Sequence, residues 1–112
     1  MRINGAVGSG GASPRFFRNL LYTMQVSNSN RKGKRFVATF KDGTRVHFGQ
    51  EGGKTYIDGA TKAQKQAYLA RHGVNEDWTD PKKASTLSRY ITWGDYTSID
   101  GNIASFKRKF GV

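Results

Sequence analysis

The residues best equipped for chemistry stand in one run, Arg71-His72-Gly73-Val74-Asn75-Glu76-Asp77-Trp78-Thr79-Asp80-Pro81. A guanidinium, an imidazole and three carboxylates this close together could perform acid–base work or hold a metal ion. His72 and Glu76 share a helix face only if the helix continues through Gly73, a residue type that usually ends one. A zinc site asks for more nitrogen or sulfur ligands, and the chain has one other histidine, His47, and no cysteine. The simpler reading is scaffold: Asp80 caps a helix, Glu76 and Asp77 meet Arg71 or Arg89, and Trp78 packs. The stretch Gly49-Gln50-Glu51-Gly52-Gly53 lacks the strand, lysine and helix that a phosphate loop requires. No nucleophile-and-base arrangement stands out. The expectation is a chain with no catalytic residue, no metal ligand and no cofactor.

Two other clusters point to binding. Arg31, Lys32, Lys34 and Arg35 crowd one polar turn, where four cations could track a phosphate backbone. Tyr22, Phe36 and Phe40 flank that turn and would serve as stacking platforms on an open sheet face, or as core on a covered one. Phe16-Phe17, between Arg15 and Arg18, is a different case. Adjacent rings point apart on any regular element, so one is expected outside, where a ring beside cations suits docking.

The elements that must position these groups follow from periodicity. Leu20, Tyr22, Met24 and Val26 alternate as a half-buried strand. Arg35 to Lys41 alternates with Phe36, Ala38 and Phe40 inward and Val37 and Thr39 outward. Asp42-Gly43 makes a tight hairpin, and Thr44 to Gly49 returns with Val46 and Phe48 inward and Arg45 and His47 outward. The glycine-rich stretch from Gly49 to Gly59 reads as a loop or a short fourth strand. Thr61 and Gln64 have the spacing of a capping box, Ala63, Ala67 and Ala70 follow at helical spacing, and Gly73 is the expected stop. Asp80-Pro81 opens a second helix carrying Ala84, Leu87 and Ile91 on one face. A third starts near Thr97 or Ser98, with Ile99, Ile103, Phe106 and Phe110 as its apolar stripe.

Ahead of these elements lies MRINGAVGSGGAS, with four glycines and only Ile3 and Val7 as larger aliphatics. Such a segment buries too little apolar surface to offset its ordering entropy, so contacts outside the domain must hold it. The expected fold is α+β: a three-stranded antiparallel meander followed by three short helices on one sheet face. Residues 1–18 form a glycine-rich basic arm and residues 19–112 a single domain.

The 112 residues suffice for one core and fall short of two ordinary domains. Aromatic residues make up 12% of the chain, enough to seed that core. The nearest approach to an apolar run, Phe16 to Tyr22, is far too short to span a bilayer, and no signal-peptide stretch is evident at the N-terminus. Lys and Arg number 19 against 8 Asp and Glu, for a net charge of +11. Residues 1–50 hold nine basic and one acidic side chain, so the excess is concentrated there. A field of this sign draws phosphate polymers, anionic lipid heads or acidic protein faces.

From residue 34 onward, Val37-Ala38-Thr39-Phe40-Lys41-Asp42-Gly43, Val46-His47-Phe48-Gly49, Tyr68-Leu69-Ala70-Arg71-His72 and Asn75 to Pro81 form a connected signature. Ala84, Leu87-Ser88-Arg89-Tyr90 and Ile91-Thr92-Trp93-Gly94 continue it. With these residues the sequence resembles a small, largely uncharacterised family of large double-stranded DNA viruses of eukaryotes. The resemblance implies viral origin and no enzyme assignment.

Two functions follow as expectations. The first is a virion structural protein, a minor capsid or cement component in the particle and, during assembly, the host cytoplasm. Its arm would bind neighbouring capsid proteins through Arg15, Phe16, Phe17 and Arg18. The second is a viral nucleic-acid-binding protein that uses Arg31, Lys32, Lys34 and Arg35. Peripheral contact with an anionic membrane is a further possible partnership, and no small-molecule substrate is expected.

Overall fold

The computed structural model describes residues 22–112. Its sheet has three antiparallel strands, β1 (Gln25–Asn28), β2 (Lys34–Thr39) and β3 (Arg45–Gln50), in the order β1-β2-β3. The meander is therefore present, with its first strand displaced. The alternation from Leu20 to Val26 predicts a strand there; Leu20 lies outside the described residues, and among the described ones pairing runs from Gln25 through Asn28. The register sets this limit, because Gln25 faces Thr39 and Asn28 faces Phe36. Ser27 and Asn28, part of the polar stretch 27–34 expected to form the turn, thus belong to the edge strand.

Two turns fix the register. Between β1 and β2, the Lys34 amide donates to the Arg31 carbonyl at 3.0 Å, and Gly33 takes a φ of 83° that disfavours any side chain. Between β2 and β3, the Gly43 amide donates to the Phe40 carbonyl, and Asp42 Oδ1 accepts from the Thr44 amide. Gly49 to Gly59 yields no fourth strand; it carries one 3-10 turn, Tyr56–Asp58.

Helix α1 (Lys62–Gly73) opens on Thr61, whose side chain accepts from the Gln64 amide while Gln64 returns the bond. The short helix α2 (Ala84–Leu87) widens directly into a π turn, Ser88–Thr92, closed by the Trp93 amide on the Ser88 carbonyl at 2.9 Å. Asp80 does not cap it. Its Oδ1 accepts from the Lys82 amide in a local turn, and the helix starts after Lys83. An aspartate two residues from an amide closes such a turn more readily than it reaches a more distant helix end. Helix α3 (Ile99–Phe110) is capped by Ser98 and ends on left-handed Gly111. The Val112 carbonyl then accepts from the Met24 amide, which ties the end of α3 to the approach of β1.

The core joins Met24, Phe36, Ala38, Phe40 and Phe48 on the sheet to Leu87 and Ile91 of the α2 segment and Phe106 of α3. Each large side chain so enclosed contributes about 1.5–3 kcal/mol. Phe36 and Phe40 are therefore core and not stacking platforms. Val37, expected outward, is fully buried too; it lies in the central strand, flanked across the sheet by Ser27 and His47.

Helix α1 attaches differently. Ala63, Ala67 and Ala70 are exposed, and Lys65 and Tyr68 form the buried face instead. Tyr68 stacks on Trp93 with ring centroids 4.5 Å apart and planes 10° from parallel. Lys65 lays its stem inside and donates from Nζ to the Gly94 carbonyl at 2.9 Å. Among the described residues, no helix is long and apolar enough to cross a membrane.

Candidate functional site

The turn between β1 and β2 presents Arg31, Lys32 and Lys34 to solvent. Arg35 is committed elsewhere: its two terminal nitrogens bind the Asp58 carboxylate at 2.6 and 2.7 Å. That bidentate pair holds Asp58 well below the usual carboxylate range and raises Arg35 further. The four cations expected to act together are thus three at the turn and one pinning the 3-10 turn to β2. Glu51 steadies the turn from the far side, accepting from the Gly33 amide at 3.2 Å.

The cations of this region converge on His47. Ser29 Oγ lies 2.6 Å from His47 Nδ1 and also accepts from the Arg31 amide. Burial holds the imidazole below its ordinary value, and the charges of Arg31, Arg45 and Lys34 add to that effect.

Beside the turn, an open cleft of about 440 Å³ lies between the end of β3, the following loop, α1 and α2. Lys34 and Lys54 line it from the sheet side, Arg71, His72 and Glu76 from α1 and its exit, and Ser85, Ser88 and Trp93 from the α2 region. Three rings line one wall: Tyr68 stacks on Trp93, and His72 lies against Tyr68 with centroids 4.4 Å apart and planes tilted by 30°. Burial, reinforced by the Glu76 charge, pushes the Tyr68 phenol up to about 12, so its hydroxyl stays protonated at neutral pH. Gly49 also lines the cleft, and a Cβ there would crowd Arg35 and meet Phe36 and Thr92.

The Arg71–Pro81 run divides between scaffold and cleft. Trp78 packs as expected, against Gly73 and with Arg89 stacked 5.4 Å from its ring centre. The expected pairing of Glu76 and Asp77 with Arg71 or Arg89 is not made. Asp77 Oδ1 instead accepts from both the amide and the hydroxyl of Thr79, two residues on. The ion pairs among the described residues are Arg35–Asp58, Lys65–Asp95 and Lys82–Asp42. Among the described residues, no group of three or more potential ligands is placed to hold a metal ion. Lys54, Tyr68 and Trp93 were not singled out as site residues by the sequence. The only signals were a lysine among glycines and two aromatics at polar–apolar boundaries. Arg15, Phe16, Phe17 and Arg18 lie outside the described residues.

Comparison with known proteins agrees with the resemblance read from the sequence. Residues 24–72 match the family of unknown function DUF5754, so the match takes in β1 and starts ahead of residue 34. Over 82 residues the chain is 38% identical to the uncharacterised protein L851 of Acanthamoeba polyphaga mimivirus. That alignment covers 62% of this chain and 80% of the viral protein. No solved structure matches the chain.

Proposed function

The chain belongs to this uncharacterised family of large double-stranded DNA viruses of eukaryotes, and from that premise we propose that it is a nucleic-acid-binding protein. The reading rests on one observation: the exposed cations of the β1–β2 turn adjoin the cleft through Lys34, which belongs to both. Arg31, Lys32 and Lys34 stand on the turn, and Lys34, Lys54 and Arg71 line the cleft. A phosphate chain crossing this edge meets positive charge along its path, and neutralising its phosphates releases bound counterions. Of the carboxylates nearby, Asp58 is paired with Arg35 and Glu51 accepts from the Gly33 amide, while Glu76 stands in the cleft itself.

A role as a virion component has its anchors, Arg15, Phe16, Phe17 and Arg18, outside residues 22–112. The exposed cations of residues 22–112 support phosphate recognition. Substituting Arg31, Lys32 and Lys34 together by alanine should weaken binding to DNA of any sequence by about a hundredfold near 0.1 M salt. Fluorescence anisotropy with labelled oligonucleotides of several sequences measures this directly. Unchanged affinity in the triple variant would remove the basic turn from the interface, and the proposal with it.

A further inference from the structure

We infer that the cleft between β3, α1 and α2 binds one unpaired nucleotide, its phosphate on Lys34, Lys54 and Arg71 and its sugar or base edge on Glu76. The inference rests on the nucleic-acid reading and narrows it to a pocket and a chemical class. Three observations lead there. The volume, about 440 Å³, falls in the range of small-molecule sites, and a bare phosphate would leave most of it empty. The three cations supply the positive charge that a phosphate needs. Glu76 makes the case for more than phosphate. A carboxylate lining a cationic cleft repels a second anion, but accepts hydrogen bonds from ribose hydroxyls or base N–H groups.

Tyr68 points the same way. It is nine-tenths buried and lines the cleft. With the phenol protonated at neutral pH, that hydroxyl can donate to a base or sugar oxygen. Trp93, stacked against Tyr68, gives the wall an apolar, aromatic character suited to a base edge. In a duplex the base edges are paired and stacked inside, so a site of this kind takes its nucleotide from a single strand, from a chain end or free in solution.

The test uses the full chain. Titration calorimetry with the nucleoside 5′-monophosphates, against inorganic phosphate, should show at least one nucleotide binding about tenfold more tightly than phosphate. Arg71→Ala should weaken phosphate and nucleotide alike. Glu76→Gln should abolish the preference, by weakening the nucleotide and strengthening phosphate. Arg71 is exposed and Glu76 forms no ion pair, so both variants should keep the wild-type circular dichroism spectrum. Anisotropy then compares a labelled single strand with the same strand in a duplex. A single-strand preference that Arg71→Ala erases places the site within a polymer path; free nucleotide binding without it assigns the cleft to the mononucleotide alone. No nucleotide preference over phosphate, or a preference that Glu76→Gln leaves intact, overturns the inference. The wider reading fails separately: a variant with Arg31 and Lys32 replaced by alanine, neither of which lines the cleft, should lose polymer affinity while keeping mononucleotide affinity. A wild-type chain that binds mononucleotide but neither single strand nor duplex would sink the polymer reading and keep the cleft.

Discussion

Asn102 is buried on α3, and its amide is bonded on both sides. Nδ2 donates to the carbonyls of Ile91 and Tyr96, each at 2.8 Å, and Oδ1 accepts from the Tyr96 amide at 2.9 Å. One side chain thus holds the end of the π turn and the connection to α3. Gly94 makes the fit possible, since a Cβ there would stand 2.3 Å from the Tyr90 carbonyl and 2.5 Å from Asn102 Cγ. Asn102→Ala should cost about 2–4 kcal/mol, from stranded backbone groups and the cavity left behind. Urea unfolding measures it; a midpoint equal to wild type would mean that water replaces the amide in full. The sequence carried a signal for this residue. Asn102 stands three after Ile99 and four before Phe106, inside the apolar stripe, where an amide has to find buried partners.

At the scale of elements, α3 and the β2–β3 hairpin were the most legible, because each follows a single period backed by a cap or a turn. Helix α1 was legible in extent but not in orientation. Its alanines suggest a buried stripe, yet they offer little apolar area, and the helix docks through Tyr68 and the stem of Lys65. A pattern that counts lysine as solvent-facing cannot find that face. The 3-10 turn was not legible at all, since its anchor is the distant Arg35. That anchor sets a pH dependence. The Arg35 guanidinium and the Thr55 amide and hydroxyl all bind the Asp58 carboxylate, so the folded chain holds its proton more weakly than the unfolded one. The stability contributed is complete above the unfolded value, about pH 4, and is lost as pH falls below it. Both partners are about a quarter exposed, so solvent screening limits the contribution to about 1–2 kcal/mol. The gap in unfolding free energy between wild type and Asp58→Asn should therefore be widest at neutral pH and close in acid. A gap independent of pH would show that Asp58 acts through packing and not through charge.

For the whole molecule, the basic turn could be read from the sequence because its cations are neighbours in the chain. The cleft could not, because Lys34, Lys54, Arg71 and Trp93 meet only after the sheet, α1 and α2 assemble. What the sequence does state without folding is the net charge of +11. Such a charge attracts any polyanion, so affinity alone does not separate a built phosphate path from a diffuse field. Salt dependence does. Each phosphate neutralised on a single strand contributes about −0.7 to the slope of log K against log salt concentration. Five cations along the edge, Arg31, Lys32, Lys34, Lys54 and Arg71, would give a slope of about −3.5, and Arg35 is left out because Asp58 already binds it. Replacing the three turn cations by alanine should bring the slope to about −1.4, while lowering the net charge only from +11 to +8. A diffuse field would lose slope only in proportion to that smaller change in charge. Should the slope instead survive those substitutions and collapse on removal of residues 1–18, which carry Arg2, Arg15 and Arg18, the contacts belong to the arm. The nucleic-acid face would then give way to the virion reading.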